Sequence, residues 1–136
     1  MAQTITGPLG AEGRYWEALA EGHLELPQCA ACRRWHWPAV WRCGKCGSWE
    51  HYWREVPLTG AIFTWTRTWH KFAGTERLDK PFVTLLVSLT DVPVRLLGVL
   101  EGVEEGVRIG AAVTGCIDHT RFGDQSVPAI RWRLSQ

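Results

Sequence analysis

Long apolar runs are missing from this chain of 136 residues. None approaches the roughly 20 residues that a helix needs to cross a bilayer, and Met1 to Leu9 has neither the basic start nor the apolar stretch of a secretory signal. A soluble, cytoplasmic protein without a membrane partner is the expectation. A surplus of one charge is also missing: 15 Lys plus Arg stand against 14 Asp plus Glu, so no global field draws the molecule to nucleic acid or an anionic surface. Any electrostatic function has to be local. The sequence has no G-x-S-x-G, no H-E-x-x-H and no glycine loop for phosphate, and its adjacent acids Glu104 and Glu105 sit in a turn-rich stretch expected to face solvent. No catalytic residue is assigned. There is no internal repeat and no low-complexity tract, and 46% apolar residues are enough for a folded domain.

What is present is uneven. Ala11 to Gly22 spaces Tyr15, Trp16, Leu19 and Ala20 as an amphipathic helix requires, with Gly22 placed to end it. Such a helix is too short to stand alone in water, so its stripe must dock on this chain's core or on another subunit. Pro27 to Trp53 then holds four of the five cysteines and five of the nine tryptophans, with little regular periodicity. From Val56 the pattern becomes that of strands, predicted over 61–69, 82–90, 94–100, 111–118 and 127–134. Longer polar connections are expected at His70 to Pro81 and His119 to Ser126, and a turn-rich one at Glu101 to Gly110. The divisions expected are an N-terminal helical segment at 1–26, a cysteine-rich unit at 27–56 and a strand domain at 57–136.

Cys29-x2-Cys32 and Cys43-x2-Cys46 carry the strongest signal. Each pair can form a tight knuckle, and two facing knuckles supply the four sulfurs of a closed tetrahedral zinc site. Nothing marks the chain as secreted, which disfavours disulfides, and neither pair opens a helix in an α/β pattern, as a redox motif would. Iron suits the same four thiolates. With four protein ligands no position is left for substrate, so the metal would be structural. Gly44 and Gly47 flank the second pair, whereas Arg33 and Arg34 follow the first; a left-handed Arg33 would cost about 1–2 kcal/mol that glycine would not. His36 and His51 lie close enough in sequence to support the ligands. Cys116, alone in a strand pattern, reads as a small buried hydrophobe.

The order helix, paired C-x2-C unit and five strands resembles the zinc-ribbon/OB-fold family, formerly a domain of unknown function, that accompanies thiolases and thiolase-like aldolases of acyl-CoA and steroid side-chain metabolism. The likeness rests on the four cysteines with Gly47, Trp53-Arg54-Glu55-Val56 leading to Gly60, Pro81-Phe82-Val83, and Val107-Arg108-Ile109-Gly110. It implies a mainly β protein: a short N-terminal helix, a rubredoxin-like zinc ribbon and a five-stranded OB-fold barrel. It also implies a non-catalytic accessory subunit, with structural Zn2+, that binds a thiolase-like or lipid-transfer-protein-like enzyme and helps form its acyl-CoA site. Many members have glycine where this chain has Arg33.

If the strands close as an OB-fold, ligands lie across its second and third strands and beside two of its loops. Those loops carry Arg77, Lys80 and Arg121, the expected phosphate contacts for an acyl-CoA, because charge-assisted hydrogen bonds to phosphate are the strong ones. The plainer alternative is two solvated loops, since Lys and Arg are ordinary surface residues. Trp35, Trp37 and Trp41 could form a small ribbon core. Five tryptophans within 19 residues exceed what a ribbon encloses, so some should be exposed, and Trp16, Trp35, Trp37 and Trp41 are the expected partner surface. The competing reading is a single-stranded nucleic-acid module built on the same two folds. Residues 27–56 carry five Lys plus Arg against two Glu, a weak excess for a chain that would track several phosphates.

Overall fold

The computed structural model describes residues 10–122 and 124–136. One helix, α1 (Gly13–Glu21), precedes seven strands: β1 (Glu25–Cys29), β2 (His51–Glu55), β3 (Thr59–Thr68), β4 (Phe82–Leu89), β5 (Arg95–Leu100), β6 (Ala112–Phe122) and β7 (Gln125–Leu134). β1 and β2 form an antiparallel pair that frames the cysteine knuckles, and the other five close a barrel in the order β3-β4-β5-β7-β6. Only the β5–β7 seam is parallel, at Val99–Arg131 and Leu100–Trp132. This is the closure of an OB-fold.

The helix forms and ends as its sequence requires. Tyr15, Ala18 and Leu19 are its buried face, and Gly22 takes a left-handed conformation (φ 98°) from which its N–H and that of His23 donate to the Leu19 and Ala18 carbonyls. That closes the last turn in a Schellman motif. The stripe docks within the chain: Tyr15 and Leu19 share one continuous core with Leu24, Leu26, Val56 and the barrel. Burial of each large apolar side chain contributes roughly 1.5–3 kcal/mol, enough to hold a nine-residue helix that would melt alone. Ribbon and barrel therefore meet through this shared core as well as through the chain.

The barrel follows the alternation of its strands. In β4, Val83, Leu85, Val87 and Leu89 point inward, with Leu85 and Val87 fully buried. Trp132 fills the centre at 0% exposure between the backbones of β5 and β6. A Cβ on Gly98 would fall 2.6 Å from its Cδ1, and one on Gly115 would fall 2.8 Å from its Cζ3, so only glycine lets the indole sit there.

Two expectations need correction. Residues 119–126 are not a polar loop: β6 and β7 stay in register out to Arg121–Ser126 and Phe122–Gln125, so most of the stretch is ladder. The β-branched Thr120 and Val127, directly paired, extend the ladder through a stretch whose polar composition suggested a loop. The cysteine-rich unit is not without regular structure either. Its strand β1 starts at Glu25, before the expected boundary at 27, because Leu24 and Leu26 carry the core into it.

Candidate metal centre and its surroundings

The two knuckles are built alike. In the first, the Arg33 N–H donates to the Cys29 carbonyl at 3.0 Å and the Cys29 N–H donates to the Arg34 carbonyl at 2.8 Å. In the second, Gly47 and Cys43 do the same at 2.9 Å, and Cys43 and Ser48 at 2.8 Å. The fifth position of each knuckle is left-handed, with φ 66° at Arg33 and 82° at Gly47. Even the props match: the Gln28 Nε2 donates to the Arg33 carbonyl at 2.9 Å, and the Arg42 Nε donates to the Gly47 carbonyl at 3.1 Å.

These loops bring the four sulfurs together, all within 4.8 Å of one another. Cys29 and Cys46 Sγ stand 3.5 Å apart, and Cys32 and Cys43 Sγ 3.6 Å. A disulfide needs about 2.05 Å, whereas sulfurs on a tetrahedral zinc at about 2.3 Å are separated by about 3.8 Å. The spacing fits the metal. The backbone N–H groups of Cys32 and then Ala31 pull the Cys29 thiol down to about 6, and those of Cys46 and Lys45, with the His36 side chain, pull Cys43 down to about 7. At Cys32 the Arg34 N–H is outweighed by burial and by the neighbouring sulfurs, which push that thiol up to about 11, so Cys29 and Cys43 are the members disposed to the thiolate form that binds metal. The donor set is that of a closed structural Zn2+ site; when bound, zinc supplies a cross-link between the knuckles and no open position for chemistry.

His36 and His51 stack edge to face with ring centroids 5.3 Å apart, and the Nε2 of each is buried without a hydrogen-bond partner among the described residues. Cys116 donates weakly to Glu101 at 3.6 Å, and burial, with that carboxylate, pushes its thiol up, which makes it inert. Glu104 does not simply face solvent: the Arg67 Nε donates to it at 2.7 Å. Glu21, His23 and Glu25 also cluster, but Arg14 already pairs with both carboxylates. The thiols that meet a base among the described residues are Cys116, whose thiol is pushed up beside Glu101, and Cys43, which belongs to the four-sulfur cluster.

The expected phosphate contacts are not gathered. β3 and β6 pair only at Thr59–Thr114 to Ala61–Ala112 and run in opposite directions from there. The 69–81 loop with Arg77 and Lys80 therefore stands at one end of the barrel and Arg121, near the β6–β7 hairpin, at the other. Arg77 and Arg121 are exposed. Lys80 is engaged inside its own loop, where its Nζ donates to the Thr75 and Leu78 carbonyls at 2.7 and 2.8 Å. Buried Thr75 organises that loop by bonding both the N–H and the carbonyl of Phe72, so the connection is folded rather than merely solvated.

The tryptophans divide. Trp16, Trp35 and Trp37 are half-buried against the core, with Trp37 4.2 Å from the Tyr15 ring. Of the four expected at a partner surface, only Trp41 is largely free, at 64% exposure. Trp49 joins it at 69%, and Arg42 lies over its ring. Two further features had no clear sequence signal. An apolar groove of about 350 Å³ lies over the β5–β7 seam, with Leu97, Val99 and Ala129 on its floor and Trp16 and Val127 beside it. A larger cleft of about 940 Å³ separates the first knuckle from the β4–β5 turn. Each unites segments far apart in sequence; the run Arg33-Arg34 was the one local hint of the second.

Comparison with known proteins bears on the same two units. The family profile described as "ChsH2, rubredoxin-like zinc ribbon domain" matches residues 16–51, and that described as "ChsH2, C-terminal OB-fold domain" matches residues 53–118. A chain of the solved structure "Ltp2-ChsH2(DUF35) aldolase" is similar in fold, with TM-score 0.79 and 24% identity over 96% of this chain and 98% of that one. A protein of unknown function from the DUF35 family of Sulfolobus solfataricus has TM-score 0.61 and 20% identity over 96% of this chain and 87% of that one. Among curated proteins nothing matches the chain. No described helix is long and apolar enough to cross a membrane. With ribbon and barrel each matched, in order and around the same four cysteines, the chain belongs to the ChsH2-type family of a zinc ribbon followed by an OB-fold.

Proposed function

We propose that this chain is a non-catalytic accessory subunit that binds a thiolase-like or lipid-transfer-protein-like enzyme of acyl-CoA metabolism and helps form its acyl-CoA site. The observation that carries the reading is a metal site whose four cysteine sulfurs already fill a tetrahedral shell and leave no position for substrate. Such a site supports surfaces and is no reaction centre. The relative described as an Ltp2-ChsH2(DUF35) aldolase supports the choice of partner and of carbon–carbon bond chemistry. Exposed Trp41 and Trp49 are the natural anchors, since a few large aromatics dominate the affinity of a standard interface. Trp16, Trp35 and Trp37 support that face from within. The acyl part is assigned to the apolar groove over β5 and β7, the third and fifth barrel strands, which shares β5 with the face on which OB-folds take ligands. Arg121, next to the groove-lining Thr120, is the better placed of the expected phosphate contacts; Arg77 and Lys80 belong to the other end.

The test is turnover of β-hydroxyacyl-CoA substrates by the purified chain, by a thiolase-like enzyme of the same cell, and by both together. The expected result is activity only in the mixture. Catalysis by the isolated chain, or full activity of the partner without it, refutes the proposal, and salt-sensitive capture of a labelled single strand would return the nucleic-acid reading.

A further inference from the structure

The cleft between the first knuckle and the β4–β5 turn is cationic on both walls. Arg33, Arg34 and Lys45 line it from the ribbon, and Arg95 lines it from the barrel. All four are exposed, no carboxylate is among the lining residues, and Asp91, the one acid of the turn, is not part of it. None of the four forms an ion pair among the described residues; Arg95 lies over the Phe63 ring at 3.7 Å, which leaves the edge of its guanidinium free. A zinc site with four thiolates carries a net charge of about minus two. Four cations exceed what that charge requires, so the cleft keeps a positive surplus even with the metal in place.

Arg33 adds an independent observation. It occupies a left-handed position, φ 66°, where the equivalent position of the second knuckle has glycine. A bulky side chain held in that strained conformation, at the mouth of a cleft, is the kind of local cost that a binding role explains.

The rest of the lining decides the class of ligand. The same cleft is lined by Trp35, Leu89, Val92 and Val94, so apolar surface accompanies the cations, with Leu89 and Val94 buried and Trp35 and Val92 half-buried. The charges are spread over two walls, not focused on one point. No glycine loop lines the cleft to wrap a phosphate with backbone N–H groups, and Pro93 in the turn has none. Trp35 and Trp37 are packed against the core, so they offer a wall and cannot close over a base from both sides. We propose that this cleft binds an extended acidic segment of a partner protein, its carboxylates reaching Arg33, Arg34, Lys45 and Arg95 and its aliphatic side chains lying against that apolar lining. The site stands whether or not the partner is thiolase-like.

The zinc-loaded chain is titrated into a fluorescein-labelled peptide of about 12 residues, Glu and Leu in alternation, and into its Gln/Leu counterpart, with anisotropy as the readout. The acidic peptide is expected to bind at least about tenfold more tightly, and to weaken about fivefold or more between 50 and 200 mM salt. The variant Arg33→Gly/Arg34→Gln/Arg95→Gln should lose that preference, with zinc stoichiometry and circular dichroism showing that it folds. Arg33→Gly alone should weaken binding while its melting midpoint holds or rises, a pairing that a merely structural arginine would not give. Equal binding of the two peptides, or an unchanged triple variant, overturns the proposal. So does pyrophosphate or ADP that displaces the peptide and itself binds about tenfold more tightly, because the cleft would then be a small-phosphate site.

Discussion

The two knuckles repeat one hydrogen-bonded frame, down to a side chain from the preceding residue on the fifth carbonyl, yet they live in different surroundings. The first grows out of β1, with Cys29 at 1% exposure and the shared core behind it. The second projects: Gly44, Lys45 and Cys46 are exposed, and the Arg42–Trp49 stack is its main side-chain support. Backbone geometry and metal therefore set the knuckle, while the residue in the left-handed position is free to answer to something else. The second knuckle uses glycine there and accepts no strain. The first uses arginine and faces a cleft.

Loss of metal should separate the knuckles most. Structural zinc supplies about 10–16 kcal/mol in isolated finger peptides, and nothing in the second knuckle approaches that. Chelation, or Cys43→Ser, is expected to abolish amide protection over 42–50 while the barrel amides of β4 and β5 keep theirs, because the five-stranded ladder closes on itself and Leu85, Val87 and Leu96 lie on its strands. Amides of β1 should be intermediate, held by Leu24 and Leu26. Hydrogen exchange read residue by residue checks this. Uniform loss across both units would show that ribbon and barrel fold as one.

The sequence was most legible where local rules and global fold agree. The cysteine spacing, the helix with its glycine stop and the apolar run that became β4 each follow from local rules, and the structure brings the four sulfurs together and closes the barrel as those signals imply. Illegible were features that depend on who ends up opposite whom. The run from His119 to Ser126 is polar in composition, but its pairing partner is itself, so it became a ladder. The expected phosphate contacts Arg77, Lys80 and Arg121 were joined by an idea about loops, and strand direction parts them. Trp35 and Trp37 could be read as ribbon core or as partner surface; Tyr15 of the helix, from residues 13–21, is what packs against Trp37. The cleft needed Arg95, over sixty residues away from Arg33.

A swap at the left-handed positions sharpens the comparison more gently. Gly47→Ala places a Cβ at φ 82°, at a cost of about 1–2 kcal/mol. Its Cβ would also lie 3.1 Å from Arg42 Nη2, which can move aside. Arg33→Gly relieves the same strain but frees the unfolded chain, so its net gain is about 0.5–1 kcal/mol. Release of zinc to a colorimetric chelator is therefore expected to quicken in the first variant and to slow in the second. Equal and opposite handling of the two knuckles would fail if both variants release metal faster, which would mean that the Arg33 side chain braces its own loop.

The smallest effect concerns how the first knuckle's strand is tied to the helix. Arg14 spans the gap, donating to Glu25 at 2.5 Å and to Glu21 at 3.2 Å, while His23 sits 2.6 Å from the same Glu25. The Arg14 hydrogen bond, with help from His23 and against desolvation, holds the Glu25 carboxyl below its ordinary value. A carboxyl depressed in the folded state contributes stability that is fully present above its unfolded value, near 4.3, and is lost as the pH falls through the lower folded value. Glu25→Gln should therefore lower the urea midpoint at pH 7 by a small fraction of the effect of metal loss, and the gap to the unaltered chain should close below about pH 4. The second knuckle has no such tie, so chelator access to Cys46 should show no corresponding step. Glu101 is likewise depressed, by Arg133, but that pair rests on the barrel. Glu101→Gln serves as the control: it should lower the midpoint less than Glu25→Gln and leave zinc release unchanged. A Glu25→Gln chain whose deficit persists at pH 3.5 would show that the lost contribution is packing between helix and strand, not charge.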